Sequence, residues 1–121
     1  MVLCFPFTDP LVGLFVKAAI KHADQLTGKQ LLAASGYYTA EEVLKTFSEV
    51  SGKKATLVQV TPDQYKAALP ASIAEELLEN HLFIEGPGYF LGEPLDETLK
   101  LLDSKPTDWA QFVKKNISAW Q

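Results

Sequence analysis

Arginine is absent from this chain, and with it goes the planar fork that most often grips phosphate, carboxylate or base edges in a two-toothed way. All eleven basic residues are lysines, set against fifteen acidic ones for a net charge of -4, so nucleic acid is a disfavoured partner. Cysteine occurs once, as Cys4, which excludes an internal disulfide and any multi-cysteine metal site. No cation stands beside it in the sequence to make a reactive thiol. No apolar run approaches the roughly 20 residues that a membrane-spanning helix needs. The opening MVLCFPF lacks both the basic start and the apolar length of a signal peptide, so the expected location is the cytoplasm. There the triplet Asn116-Ile117-Ser118, which matches a glycosylation acceptor, reads as chance within a helix. Repeats and low-complexity segments are also missing.

What remains is 121 residues, 47% of them hydrophobic, enough for a single domain that buries roughly two thirds of its unfolded surface. MVLCFPFTDP, broken by Pro6 and Pro10, reads as an extended arm. A helix is predicted from Pro10, capped by Asp9 and stopped by Gly28. Its inner face is Val12, Phe15, Val16, Ala19, Ala23 and Leu26, and its outer face Lys17, Lys21, Asp24 and Gln25.

The stretch Gly28–Pro70 carries the densest punctuation. Gln30–Ala34 is a short apolar run of the kind found in a strand covered on both faces. Thr39-Ala40-Glu41-Glu42 is a capping box, so a helix must follow it. Its inner face is Ala40, Val43, Leu44, Phe47 and Val50, and Gly52 is its left-handed stop. Lys54–Val60 alternates and is rich in β-branched residues, which predicts a second strand. Two strands joined through a helix must run parallel with a right-handed crossover. Thr61-Pro62-Asp63-Gln64 is a second cap with proline at the first helical position, opening a short helix that ends before Pro70. Ser72 is expected to cap a further helix with Ile73, Leu77, Leu78 and Leu82 as its apolar row, ending near Gly86-Pro87-Gly88. Leu95, Leu99 and Leu102 suggest a short helix, and Thr107 caps the last one, along which Trp109, Phe112, Val113, Ile117 and Trp120 recur at helical spacing. The expected fold is thus α+β and mostly helical: a small two-stranded parallel sheet from one βαβ unit, with roughly five or six helices around it.

In wording as well as order, YYTAEEVLKTFSEVSGKKATLVQVTPDQYKAALP resembles the C-terminal, substrate-side region of NmrA-like proteins, which are atypical short-chain dehydrogenases. The resemblance extends back to DPLVGLFVKAAI, where Gly13, Phe15 and Val16 match a family segment. It runs forward to IAEELLENHLFIEGPGYF, whose acidic helix and Gly88-Tyr89 turn are also similar, and so covers about Asp9 to Phe90. It implies descent from the substrate-side subdomain of an NADP-binding reductase or redox-sensing regulator. Cofactor binding does not carry over, because the family's N-terminal dinucleotide-binding half, with its glycine-rich loop, has no counterpart in these residues. One domain spanning residues 1–121 is therefore expected, with no cofactor of its own.

The candidate sites each have a plainer explanation beside the functional one. Gly86-Pro87-Gly88-Tyr89-Phe90-Leu91-Gly92 mimics a nucleotide fingerprint, but it follows a helix instead of a strand and is flanked by Glu85 and Glu93, so a turn is the simpler reading. None of the tyrosines has a lysine four places on, as short-chain dehydrogenases require, and Gly-x-Ser-x-Gly and the P-loop are missing. His81, with Glu85 one helical turn later, is the candidate catalytic pair, a base and its orienter; a hydrogen-bonded boundary histidine explains it equally. His22 falls on a polar face, and two histidines so placed make no metal site. Tyr37, Tyr38, Phe83, Tyr89, Phe90 and Trp109 could converge on a ligand pocket or simply form the core. The acidic run Glu75, Glu76 and Glu79 is a solvated helix face or a docking surface for a basic partner.

Three functions remain open at this level. One is a stand-alone ligand-binding or regulatory domain that binds a hydrophobic small molecule or a protein partner without redox activity. Another is a cofactor-independent isomerase, cyclase or lyase acting on a hydrophobic metabolite, which needs a closed pocket with His81 inside. The last is a truncated or complementing part of an NADP-dependent reductase. A small parallel sheet has open edges that something must cover, so a homodimer or a partner chain is expected.

Overall fold

Helix initiation in this chain is written largely in side-chain caps, and the computed structural model bears out several of them. It describes the backbone of residues 2–4 and 11–121, and side chains from Val12 onward. In chain order the elements are β1 (Val2–Cys4), α1 (Leu11–Lys21), α2 (Ala23–Leu26), β2 (Tyr37–Thr39), α3 (Ala40–Ser51), α4 (Pro62–Ala67), α5 (Ala71–Glu85), a 3-10 turn (Tyr89–Gly92), α6 (Asp96–Leu99), α7 (Trp109–Lys115) and a closing 3-10 turn (Ile117–Trp120). The domain is mostly helical, as the spacing predicts. Among the described residues no helix is long and apolar enough to cross a membrane.

Both predicted capping boxes are present. The Glu42 amide donates to the Thr39 hydroxyl at 3.2 Å while the Thr39 amide donates to the Glu42 carboxylate at 2.7 Å. The Thr61 pair with Gln64 repeats the pattern at the start of α4. Gly28 and Gly52 sit at φ +74° and +72°, the left-handed stops expected of them. Asp9 and Pro10, the predicted start of the first helix, lie outside the described residues.

The sheet differs from expectation. The described strands are β1 and β2, antiparallel, with Val2 opposite Thr39, Leu3 opposite Tyr38 and Cys4 opposite Tyr37. The predicted parallel pair of Gln30–Ala34 with Lys54–Val60 is not formed, since neither segment is a strand. The reason lies in where residues 30–34 find their backbone partners. The Leu32 amide donates to the Thr98 hydroxyl at 3.2 Å, and the Ala34 amide turns back to the Leu32 carbonyl at 3.0 Å. A tight turn of that kind kinks the chain out of strand geometry. Ala34 is fully buried beside Leu95 of the α6 region, so a helix occupies the flank where a neighbouring strand would lie.

Two packed clusters meet at Leu99. One joins Ala34 and Leu95 to Leu32, Tyr37 and Phe90; the other centres on Phe15, with Leu31, Leu102, Trp109 and Phe112 around it. The helix α1 is turned relative to its predicted face: Phe15 and Ala18 are buried, whereas Val12 and Val16 are each 53% exposed. The side turned inward is the one on which Phe15 packs against Leu31, Leu99, Leu102, Trp109 and Phe112. Beside it Lys17 and Lys21, one turn apart, form a clamp on the Asp103 carboxylate, at 2.8 and 2.6 Å. The helix also breaks at His22, which separates α1 from α2. Ser72 lies inside α5, which is preceded by Pro70, and α5 buries Ala74 and Leu78 while Ile73 and Leu82 stay exposed. The last cap is Asp108 instead of Thr107, because Gln111 stands at the third helical position counted from Asp108 and closes a box. Asn116 ends α7 with its side-chain amide donating to the Phe112 carbonyl at 2.9 Å.

Candidate functional site

The pair α4 and α5 pack against each other, and the Thr61 cap fixes how the chain enters that pair. Proline at the first helical position and the reciprocal Thr61–Gln64 bonds hold residues 60–62 as a rigid corner. Tyr65 follows one turn into α4, half-buried. Across from it on α5, the His81 imidazole stands edge-on to the Tyr65 ring, with centroids 5.3 Å apart at 88°. Leu78, one turn before His81, is buried beneath them, and Lys66 ties the pair further through Glu75 at 3.2 Å.

A groove of about 320 Å3 runs along this contact, with Val60 and Pro62 as one wall, Tyr65 and His81 as the other, and Leu78 in its floor. Glu85 closes one end. Its lining is apolar and aromatic surface with a few polar tips. It is also open to solvent, and His81 is exposed.

A second recess of about 350 Å3 lies next to it, lined by Tyr37, Tyr89 and the glycines of the 86–92 loop, with Glu85 again at the edge. The Tyr37 hydroxyl donates to the Glu93 carbonyl at 2.7 Å. The loop is held in left-handed geometry by Gly88 and Gly92, at φ +74° and +73°, and between them Phe90 and Leu91 also have positive φ, 48° and 55°. Those glycines therefore serve the bend, as the plainer explanation of the fingerprint-like spacing had it.

Of the predicted site residues, His81 and Glu85 come together in the first groove. The six aromatics do not converge. Tyr37 and Phe90 pack on the Ala34–Leu95 cluster, with Tyr89 edge-on to Phe90 at 5.7 Å. Trp109 belongs to the other cluster, its indole N–H donating to the Val43 carbonyl at 2.8 Å and its ring stacked on Phe112. The Trp109 amide faces the Tyr38 hydroxyl at 3.5 Å. Phe83 is 73% exposed on α5. Tyr65 was missed, and the signal for it was the capping box that starts α4 four residues earlier. Among the described residues no three His, Cys, Asp or Glu side chains gather in a way that could hold a metal ion.

Residues 6–113 match the NmrA-like family, and the chain belongs to it. No curated protein and no solved structure matches the chain.

Proposed function

We propose that this NmrA-like domain is a binding module, corresponding to the family's C-terminal substrate-side region. It takes a flat hydrophobic small molecule in the groove between Pro62, Tyr65 and His81 and carries out no redox chemistry itself. The observation that supports this is the edge-on Tyr65–His81 pair over the buried Leu78 floor. Such a pair presents two ring faces and two polar tips to one space, which suits a fused-ring ligand with a hydroxyl or carbonyl at its rim. Catalysis by His81 with Glu85 finds less support, because an acid–base pair of that kind needs water kept out and the groove is open.

The test is an NMR titration of the full chain with 2-naphthol, following the His81 ring, the Tyr65 ring and the Leu78 methyls. Saturable shifts at those three, lost in Tyr65→Ala and His81→Ala, are expected. Shifts that never saturate, or that concentrate in the 86–92 loop, would overturn the assignment of the groove.

A further inference from the structure

Glu85, the last residue of α5, lines both recesses. It closes one end of the groove beside Tyr65 and His81, and it stands at the edge of the recess beside Tyr37 and Tyr89. It is exposed and forms no ion pair among the described residues. Among those residues no lysine lines either space. Lys66, the lysine of α4, is held by Glu75 at 3.2 Å, toward the other end of α5. A negative charge without a partner thus stands between two spaces walled by aromatic rings.

We propose that the ligand of this site is an organic cation: a fused ring lying in the groove, joined by a short arm to an alkylammonium group that rests beside Glu85, Tyr37 and Tyr89. This rests on the groove reading above and adds to it the ligand's charge and a second point of attachment. The spacing suits such a molecule. Glu85 is one turn beyond His81 on the same helix, an axial rise of about 6 Å, which a short alkyl arm spans. The recess has room for the head group, at about 350 Å3. Gly86, Gly88 and Gly92 put no side chain into it, and a Cβ at any of the three would meet nothing within 4 Å. Tyr37 is fixed by its hydroxyl bond to the Glu93 carbonyl at 2.7 Å, and Tyr89 by its edge-on contact with Phe90.

Aromatic rings attract a cation through their electron-rich faces, and an alkylammonium is the group that aromatic walls with a nearby carboxylate select. A phosphate or carboxylate on the ligand would instead meet Glu85 as a like charge, with no lysine in the lining to offset it. The 86–92 loop therefore has the spacing of a nucleotide fingerprint and the opposite preference in charge.

Three probes that share a naphthyl ring and differ in the charge of the arm test this: 2-(2-naphthyl)ethyltrimethylammonium, 2-(2-naphthyl)ethanol and 3-(2-naphthyl)propanoate. Calorimetric titration of the full chain at low salt should rank them cation, alcohol, carboxylate, with the cation about tenfold tighter than the alcohol. In NMR spectra the cation should move Tyr89 and Gly88 as well as Tyr65 and His81. Glu85→Gln should reduce the cation's advantage to about twofold or less, and Tyr89→Ala should remove part of it. Glu79→Gln takes an exposed carboxylate from the same helix outside both recesses and should leave the advantage as it is. If all three probes bind the groove equally well, the groove reading stands and the cation proposal falls. An advantage that survives Glu85→Gln, or that Glu79→Gln reduces as much, reflects the charge of the whole chain and overturns the proposal too. If no probe gives saturable shifts at Tyr65 and His81, the groove reading itself fails and the two-point ligand fails with it.

Discussion

The rotation of α1 can be tested with two neighbouring substitutions. Phe15 is 3% exposed at the centre of its cluster, against Leu31, Leu99, Leu102, Trp109 and Phe112, whereas Val16 is 53% exposed. Phe15→Ala removes a ring that the helix and its neighbours cannot collapse to fill, a change that costs about 3–5 kcal/mol. For a chain of 121 residues, an unfolding entropy of about 2.1 cal/mol/K per residue gives ~0.25 kcal/mol/K, so a loss of ~4 kcal/mol lowers Tm by about 16 °C. Val16→Ala instead deletes methyls that already face water and exchanges a β-branched residue for the best helix former, so a change within ~0.5 kcal/mol, neutral or slightly stabilising, is expected. Urea and thermal melts followed by circular dichroism separate the two, provided the urea m-value is the same in both variants. The refuting result is a Val16→Ala loss comparable to that of Phe15→Ala. That would mean α1 sits about 100° around its axis, with Val12 and Val16 inward as their spacing with Phe15 and Ala19 suggests.

Other consequences follow from single contacts. Thr61→Ala removes the hydroxyl that accepts from Gln64, and should cost about 1 kcal/mol in denaturant melts, with Thr61→Ser restoring most of it. Leu91, 73% exposed at φ 55°, is in a conformation that costs a side chain about 1–2 kcal/mol, so Leu91→Gly should stabilise, and an unchanged or lower midpoint would argue against that strained loop. The Asp103 carboxyl is held down to about 2 by hydrogen bonds from Lys17 and then Lys21, against an ordinary value of 3.8. A carboxylate lowered in the folded state favours folding above its ordinary value, and that contribution fades as pH falls from about 4 to about 2. Asp103→Asn should erase this part of the acid dependence, and raised salt should blunt it; a carbon-detected titration of Asp103 near its ordinary value would remove the clamp from consideration.

The features legible in the sequence were those set by neighbours along the chain. The boxes at Thr39 and Thr61 and the stops at Gly28 and Gly52 each depend on a few consecutive residues, and each is where the pattern puts it. Even the misplaced final cap obeys the same rule, since Thr107 has Ala110 at the third position and Asp108 has Gln111. Strand pairing is decided at a distance. Residues 30–34 satisfied their backbone through Thr98, far along the chain, and so were withdrawn from the sheet that local composition implied. The division of the six aromatics between clusters was partly foreseeable: Tyr37 and Tyr38 are consecutive in β2, and successive side chains of a strand point to opposite faces. One joins the Leu95 cluster while the other turns to the Trp109 amide. His81 and Glu85 share a groove because they are one turn apart on a helix, whereas the approach of Tyr65 depends on how α4 lies against α5, which no local pattern specifies.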